Sequence, residues 1–396
     1  MCASAKRACG PSSASTPRCR SRIRTSFGGS NSRRRRSSSA NSRRARRLPG
    51  ARSALRDRTS PESFSRNRSH AGKRKMMRIA AAVLSAGMAL SATAASAQEW
   101  PSKTIKLVVP YAPGGYTDSV ARITARYLEK ELGQTVIVDN RAGGGGIVGS
   151  DLVAKSPGDG YTLCICSVGA ISVAPVAQTT SYDPVKSFKP VSVVSTIPQT
   201  VIVNPSLPIN TMQDLVAYAK ANPGKLSYGS SGAGGLMHYS VQLFDARNGT
   251  KMTHVPFKGG SPATAAVVSG EVNLSFTNMT DALPQMEANK VRALAVTSAK
   301  RNEFAPQLPT VSETVTPGYS VESWNGLMAP ASTPDSIIAK LSDVLKKMAA
   351  DPEVKKSMAV VGASTEFTTP DEYKAQIAAE VEQWRELLKE IAEKKN

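Results

Sequence analysis

The sequence predicts an α/β protein with largely parallel sheets, and three observations carry that expectation. Short β-rich runs alternate with helical patterns from about residue 100 onward. Two segments run strand, glycine-rich turn, helix, the unit from which such sheets are built. No stretch of the later chain is apolar for long enough to span a membrane.

The front of the chain is of another kind. Of the 396 residues, 51 are Lys or Arg and 30 are Asp or Glu, a formal charge of +21. Residues 1–97 hold 23 of those bases against two acids, Asp57 and Glu62, so the 28 bases and 28 acids that remain cancel. Residues 1–75 are Arg/Ser-rich, with Arg33 to Arg36 in one run and little to bury. They read as a disordered basic arm or, ranked higher, as the product of a start placed too far upstream. Lys73, Arg74, Lys75 and Arg78 then precede an apolar run, and Ala95-Ser96-Ala97 puts small residues where a signal peptidase needs them. Residues 76–97 are thus expected to be a signal peptide beginning at Met76 or Met77 and cleaved after Ala97, which sends the mature chain to the periplasm. The neutral mature chain offers no basic stripe, so nucleic acid is not an expected partner.

Strands are expected at Thr104 to Val109, Gln134 to Val138, Tyr161 to Ile165, Val191 to Val194, Thr200 to Val203, Val272 to Phe276 and Arg292 to Thr297. The first helix should run from about Thr117 to Leu132, with Val120, Ile123, Tyr127, Leu128 and Leu132 on one face and Gly133 ending it. Further helices are expected at Met212 to Asn222, Leu236 to Arg247, Asp335 to Ala350 and Pro370 to Lys394. Two Pro-flanked crossings, around Ile197-Pro198-Gln199 and from Tyr319 to Trp324, read as hinges. Of the five cysteines, Cys164 and Cys166 lie two apart on one strand face, a poor geometry for a mutual bridge, and are expected as buried free thiols.

Chemistry is concentrated in the two strand–turn–helix loops, Tyr111-Ala112-Pro113-Gly114-Gly115-Tyr116-Thr117-Asp118 and Ser230-Ser231-Gly232-Ala233-Gly234-Gly235-Leu236. Glycine lets a ligand approach backbone, and the first amides of a helix are unpaired donors at the positive end of its dipole. Neither loop contains Lys or Arg, so each reads as a carboxylate site made of oriented amides and hydroxyls. Either loop alone would be taken as a tight turn; two in different halves favour a ligand. Asp118 could meet a ligand amine or only complement the helix end, and His238 could face the cleft or be structural. The Gly143 to Gly146 run lacks the acidic ribose partner of a dinucleotide site and is better explained by close helix packing.

Little supports catalysis. His238 and His254 are the only histidines after the leader, too few for a zinc site, and no G-x-S-x-G elbow occurs. No metal or cofactor is expected, and the chain is read as no enzyme.

An ordered string of blocks resembles the substrate-binding receptors of tripartite tricarboxylate transporters, the Bug family. It includes Val109-Pro110-Tyr111-Ala112-Pro113-Gly114-Gly115, Asp159-Gly160-Tyr161-Thr162-Leu163, Tyr182-Asp183-Pro184, Ser231-Gly232-Ala233-Gly234, His254-Val255-Pro256-Phe257-Lys258-Gly259 and Arg292-Ala293-Leu294-Ala295-Val296-Thr297. The match covers essentially residues 100–393, with Gly235 and Tyr111 standing where Ser and Phe are common. The resemblance implies a two-lobed Venus-flytrap fold of the periplasmic-binding-protein kind, with lobe one from 98–198 and 323–396 and lobe two from 199–322. It implies a monomer that takes a small carboxylate (a dicarboxylate, tricarboxylate, amino acid or aromatic acid) and delivers it to integral membrane transporter subunits. The residues implied in ligand binding are Tyr111, Pro113, Gly114, Gly115, Thr117, Asp118, Ser167, Ser230, Ser231, Gly232, Gly234, Gly235, His238 and Asn278. A receptor reporting to a sensor kinase would share every one of them, and an α/β enzyme is a more distant reading.

Overall fold

A computed structural model of the chain describes residues 76–77 and 99–394. The expected basic arm over 1–75 lies outside the described residues, as does the leader with its cleavage point, Met76 and Met77 excepted.

Strand β1 (Ile105–Val109) is almost wholly buried, and it pairs in parallel with β2 (Val136–Asn140) and β3 (Thr162–Ser167). Helix α1 (Tyr116–Leu132) covers them, burying Val120, Ile123 and Leu128, and ends at Gly133 in the left-handed conformation only glycine adopts without cost. Helix α2 (Ile147–Ala154) follows the glycine run and leads to β3.

Strand β4 (Phe188–Val203) is the axis of the molecule. From Phe188 to Pro198 it pairs antiparallel with β9 (Glu322–Pro330); from Gln199 it pairs instead with β7 (Leu274–Asn278), and from Thr200 also with β8 (Arg292–Val296). The segments expected as two strands, Val191 to Val194 and Thr200 to Val203, are therefore one strand that runs through the Pro198 crossing. The two expected crossings lie side by side, with Ile197 opposite Ser323 and Pro198 opposite Glu322. Strands β5 (Ser227–Ser230) and β6 (Thr253–Pro256) extend the far side in parallel, and the short β10 (Ser364–Thr365) joins β4.

This is the two-lobed architecture that the resemblance implied. The sheets are mixed rather than largely parallel, because the strands that cross between the halves, β4 and β9, must run in opposite directions.

The second half carries α3 (Met212–Ala221), α4 (Leu236–Asn248), α5 (Gly260–Ser269) and α6 (Met279–Glu287), and the chain returns through α7 (Asp335–Ala350), α8 (Pro352–Val360) and α9 (Pro370–Glu393). A capping box between Thr369 and Glu372 starts α9. Its far end reaches the other half, where Arg247 forks onto Glu390 with two bonds of 3.0 Å. That guanidinium holds the Glu390 carboxyl down at about 2. Midway, the Trp324 indole N–H donates to Glu380 at 2.8 Å, so the helix is tied to β9 as well.

The cysteine expectation fails. Cys164 and Cys166 form a disulfide. Alternate residues of a fully extended strand stand roughly 6.6 Å apart, but here the strand is contracted to a Cα separation of 5.3 Å. Two side chains on one face are then within reach of each other.

Candidate functional site

The first loop leaves β1 at Val109 and enters α1 at Tyr116. Gly114 has φ +88°, a left-handed turn that brings its amide back onto Asp118 at 2.9 Å. Asp118 also accepts from Arg122 through Nε at 2.9 Å and from Asn140 Nδ2 at 2.9 Å, and Asn140 donates to the Tyr111 carbonyl at 3.1 Å. Burial opposes ionisation of Asp118, but these donors outweigh it and hold the carboxyl below its ordinary range. Its oxygens are thus spent on the chain's own groups. So is the Gly114 amide, which donates to Asp118 rather than into the cleft.

Gly115 caps α1 without a side-chain bond, so no cap side chain takes the leading amides of the helix, and Gly115, Tyr116 and Thr117 line the cleft. The Tyr111 hydroxyl donates to the Gly145 carbonyl at 3.0 Å and lies 2.8 Å from Ser167 Oγ. Burial pushes it up to about 12, so it stays protonated.

The second loop has the same build. It leaves β5 at Ser230 and enters α4 at Leu236, with Gly235 as a second bare N-cap. Ser230 Oγ meets His254 Nε2 at 2.6 Å, and the Gly234 amide donates to His238 Nδ1 at 3.3 Å. The two imidazoles stack at 4.0 Å, and burial lowers His254 to about 4, which keeps it neutral. His238 therefore braces the loop from behind.

Between the loops lies a cleft lined by Tyr111, Gly115, Thr117, Asp118, Ser167, Ser231 and Asn278 of the expected site. Pro113, Gly114, Ser230, Gly232, Gly234, Gly235 and His238 are not among the residues that line it. Nine further residues line it that the expected set did not name, among them Gln199, Asp281, Gly260 and Ser323. Gln199 stood in the crossing read as a hinge, a polar residue amid β-formers, and that was the one available signal. Asp281 follows Asn278 by three residues and looks in sequence like a helix-start acid. Among the described residues no Lys or Arg lines the cleft.

The halves are closed on each other. The Ala112 amide donates to the Lys258 carbonyl at 2.9 Å, and Gln178 Nε2 reaches the Ala233 carbonyl at 3.3 Å. The space left at the centre is small, about 30 Å³ for the centres of water-sized spheres. A ligand reaches it only when the lobes part.

Comparison with known proteins bears on the family and the fold. Residues 120–392 match the tripartite tricarboxylate transporter family receptor. The chain is 35% identical over 305 residues to protein BugT of Bordetella pertussis, covering 76% of this chain and 92% of that one. Rpa4515 of R. palustris, solved with adipate, shares 34% identity at a TM-score of 0.71, covering 74% of this chain and 99% of that one. MatC of Rhodopseudomonas palustris, solved with bound malate, shares 29% identity at a TM-score of 0.70, covering 73% and 99%. The fold is that of the two-lobed periplasmic binding proteins.

Proposed function

The chain belongs to the tripartite tricarboxylate transporter receptor family, and from that premise we propose that it is a periplasmic receptor that captures a small carboxylate and delivers it to membrane transporter subunits, without catalysing a reaction. One observation carries the reading: two helix N-termini, each capped only by glycine, border one closed cleft that no Lys or Arg lines among the described residues. Unpaired amides at the positive end of a helix dipole suit an anion. The ligand carboxylate sits on the amides of Gly115 and Thr117, beside the hydroxyls of Thr117, Ser167, Ser231 and Tyr111. Pro113, Gly114, Asp118, Ser230, Gly232, Gly234, Gly235 and His238 hold the two loops in shape, and Asn278 borders the cleft from the second lobe.

Lobe one comprises 98–198 and 323–396, and lobe two 199–322. The switch of β4 from β9 to β7 and β8 at Pro198 and Gln199 supports those limits. The paired crossings are the hinges, and a ligand that touches both loops favours the closed state over the open one. The protein acts as a monomer, exported by a signal peptide cleaved after Ala97. In a thermal-shift screen of small carboxylates, a ligand at a hundred times its Kd adds roughly 2.7 kcal/mol. A library of mono-, di- and tricarboxylates that leaves the melting temperature unmoved is the result against the proposal.

A further inference from the structure

Burying a polar atom without a partner is costly, and chains avoid it unless something else supplies the partner. Three such acceptor atoms lie together where β7 runs into α6: Asn278 Oδ1 and both oxygens of Asp281, all buried and all without a hydrogen-bond partner among the described residues. Asn278 and Asp281 both line the cleft. Asp281 is 6% exposed. Burial pushes its carboxyl up to about 7, against a weaker pull from the nearby Tyr116 amide, whose geometry falls short of a hydrogen bond. An isolated buried carboxylate is the most expensive of these atoms to keep.

We propose that the cleft selects a small carboxylate that also bears an ammonium group, an amino acid or short amino-carboxylate, and that Asn278 Oδ1 and the Asp281 carboxylate hold that ammonium. The inference rests on the receptor reading above and specifies its ligand. An ammonium brings three N–H donors and no acceptor, the complement of three acceptors and no donor. A second ligand carboxylate would bring only further acceptors, against a group that is itself a carboxylate. Among the described residues no Lys or Arg lines the cleft, so none of them brings a cation to Asp281 there.

The placement fixes how far apart the two ligand groups stand. A Cβ built on Gly115 would lie 3.2 Å from Asp281 Oδ1, and one on Gly260 would lie 2.4 Å from Oδ2. Asp281 is therefore seated between two glycines, one of them the N-cap of the helix proposed to hold the ligand carboxylate. Ammonium and carboxylate must then be near neighbours on the ligand, as they are on an α-amino acid. Gln199, opposite Asn278 in the β4–β7 ladder, adds the unpartnered donor Nε2, with its other amide atom held by Ser240 at 2.5 Å. That donor is placed for the carboxylate side.

The test is calorimetric titration with the twenty L-amino acids and with the des-amino acid matching each, such as succinate for L-aspartate and 4-methylpentanoate for L-leucine. At least one amino acid should bind tenfold or more tightly than its des-amino partner, and Asp281→Asn should remove that gap while melting as a folded protein. Asn278→Ala should narrow the gap by a few fold, which keeps the test alive should Asp281→Asn fail to fold. Tight binding by des-amino acids alone overturns this inference and leaves the receptor reading standing. Binding by neither set overturns both. An amino acid bound equally well by native protein and Asp281→Asn shows that the ammonium lies elsewhere and also overturns the inference.

Discussion

Gly232 and Gly145 meet backbone to backbone across the closed cleft: a Cβ on Gly232 would stand 2.6 Å from the Gly145 amide nitrogen. The contact joins the second loop to the glycine run before α2, and a Cβ on Gly145 would in turn lie 2.8 Å from the Ala233 carbonyl. Closure thus depends on two segments of the chain that carry no side chain at the point of contact.

Gly232→Ala should therefore reduce the stabilisation a ligand confers, because the methyl group obstructs the closed state. Gly232 also has φ +134°, so alanine there is strained in either state. Gly133→Ala separates the two effects: φ is +66° but nothing lies within 4 Å of the added Cβ. It should lower the melting temperature and leave the ligand-induced rise intact. Gly235→Ala, with nearest atoms at 3.6 Å and no positive φ, should change neither. Equal ligand responses in Gly232→Ala and Gly133→Ala would dismiss the obstruction.

Asp118→Asn should destabilise the protein without altering which ligand it prefers. The carboxylate accepts from Gly114, Arg122 and Asn140, and an amide in its place loses the charge-assisted bonds. Hydrogen bonds to charged groups are worth about 1.5–3 kcal/mol. Because the folded carboxyl lies below its ordinary range, its contribution is present above the unfolded carboxyl pKa and is lost as pH falls through the folded one. Chemical denaturation at pH 7 and pH 3 measures this, and a native-like midpoint at pH 7 would refute it.

These two cases show what the sequence made legible. Helix α1 was evident because Val120, Ile123 and Leu128 repeat on one face and Gly133 stops it, a purely local signal. The two glycine loops were legible for the same reason. The Cys164–Cys166 bond was not, since it depends on a contraction of β3 that no periodicity encodes. Nor was the junction of Gln199 with Asn278, seventy-nine residues apart in the chain and adjacent only through strand pairing. Asp281 was passed over because an acid in the first turn of a helix is ordinary, and only its lack of partners sets it apart.

His254 should remain neutral through the physiological range, with its Nε2 against Ser230 Oγ. Burial lowers it to about 4. A depressed histidine contributes stability that is complete above the unfolded value near 6.5 and is lost as pH falls through the folded value. Titration of the imidazole by nuclear magnetic resonance from pH 8 to pH 5 should show no protonation of this ring. A midpoint above pH 6 would mean that the stacked pair with His238 is solvated.

Asp281 carries the opposite sign. Its folded value, about 7, lies above the unfolded 3.8, so the folded state binds the proton more tightly. The contribution is complete below about pH 4 and is lost as pH rises through 7. Asn cannot ionise, so the melting temperature of Asp281→Asn should exceed that of the native protein by a margin that widens between pH 4 and pH 7 and levels off above. A gain of roughly 2–4 °C per kcal/mol makes the trend measurable in a chain of this size. Comparing variant with native at each pH cancels every other titrating group that the substitution leaves alone. An ammonium ligand supplies the missing charge and favours the ionised carboxylate, so the native slope should flatten when an amino acid is bound and stay unchanged with its des-amino partner. A margin that stays constant from pH 4 to pH 8 would place the Asp281 carboxyl in contact with water and remove the buried, unpartnered charge on which the ligand assignment depends.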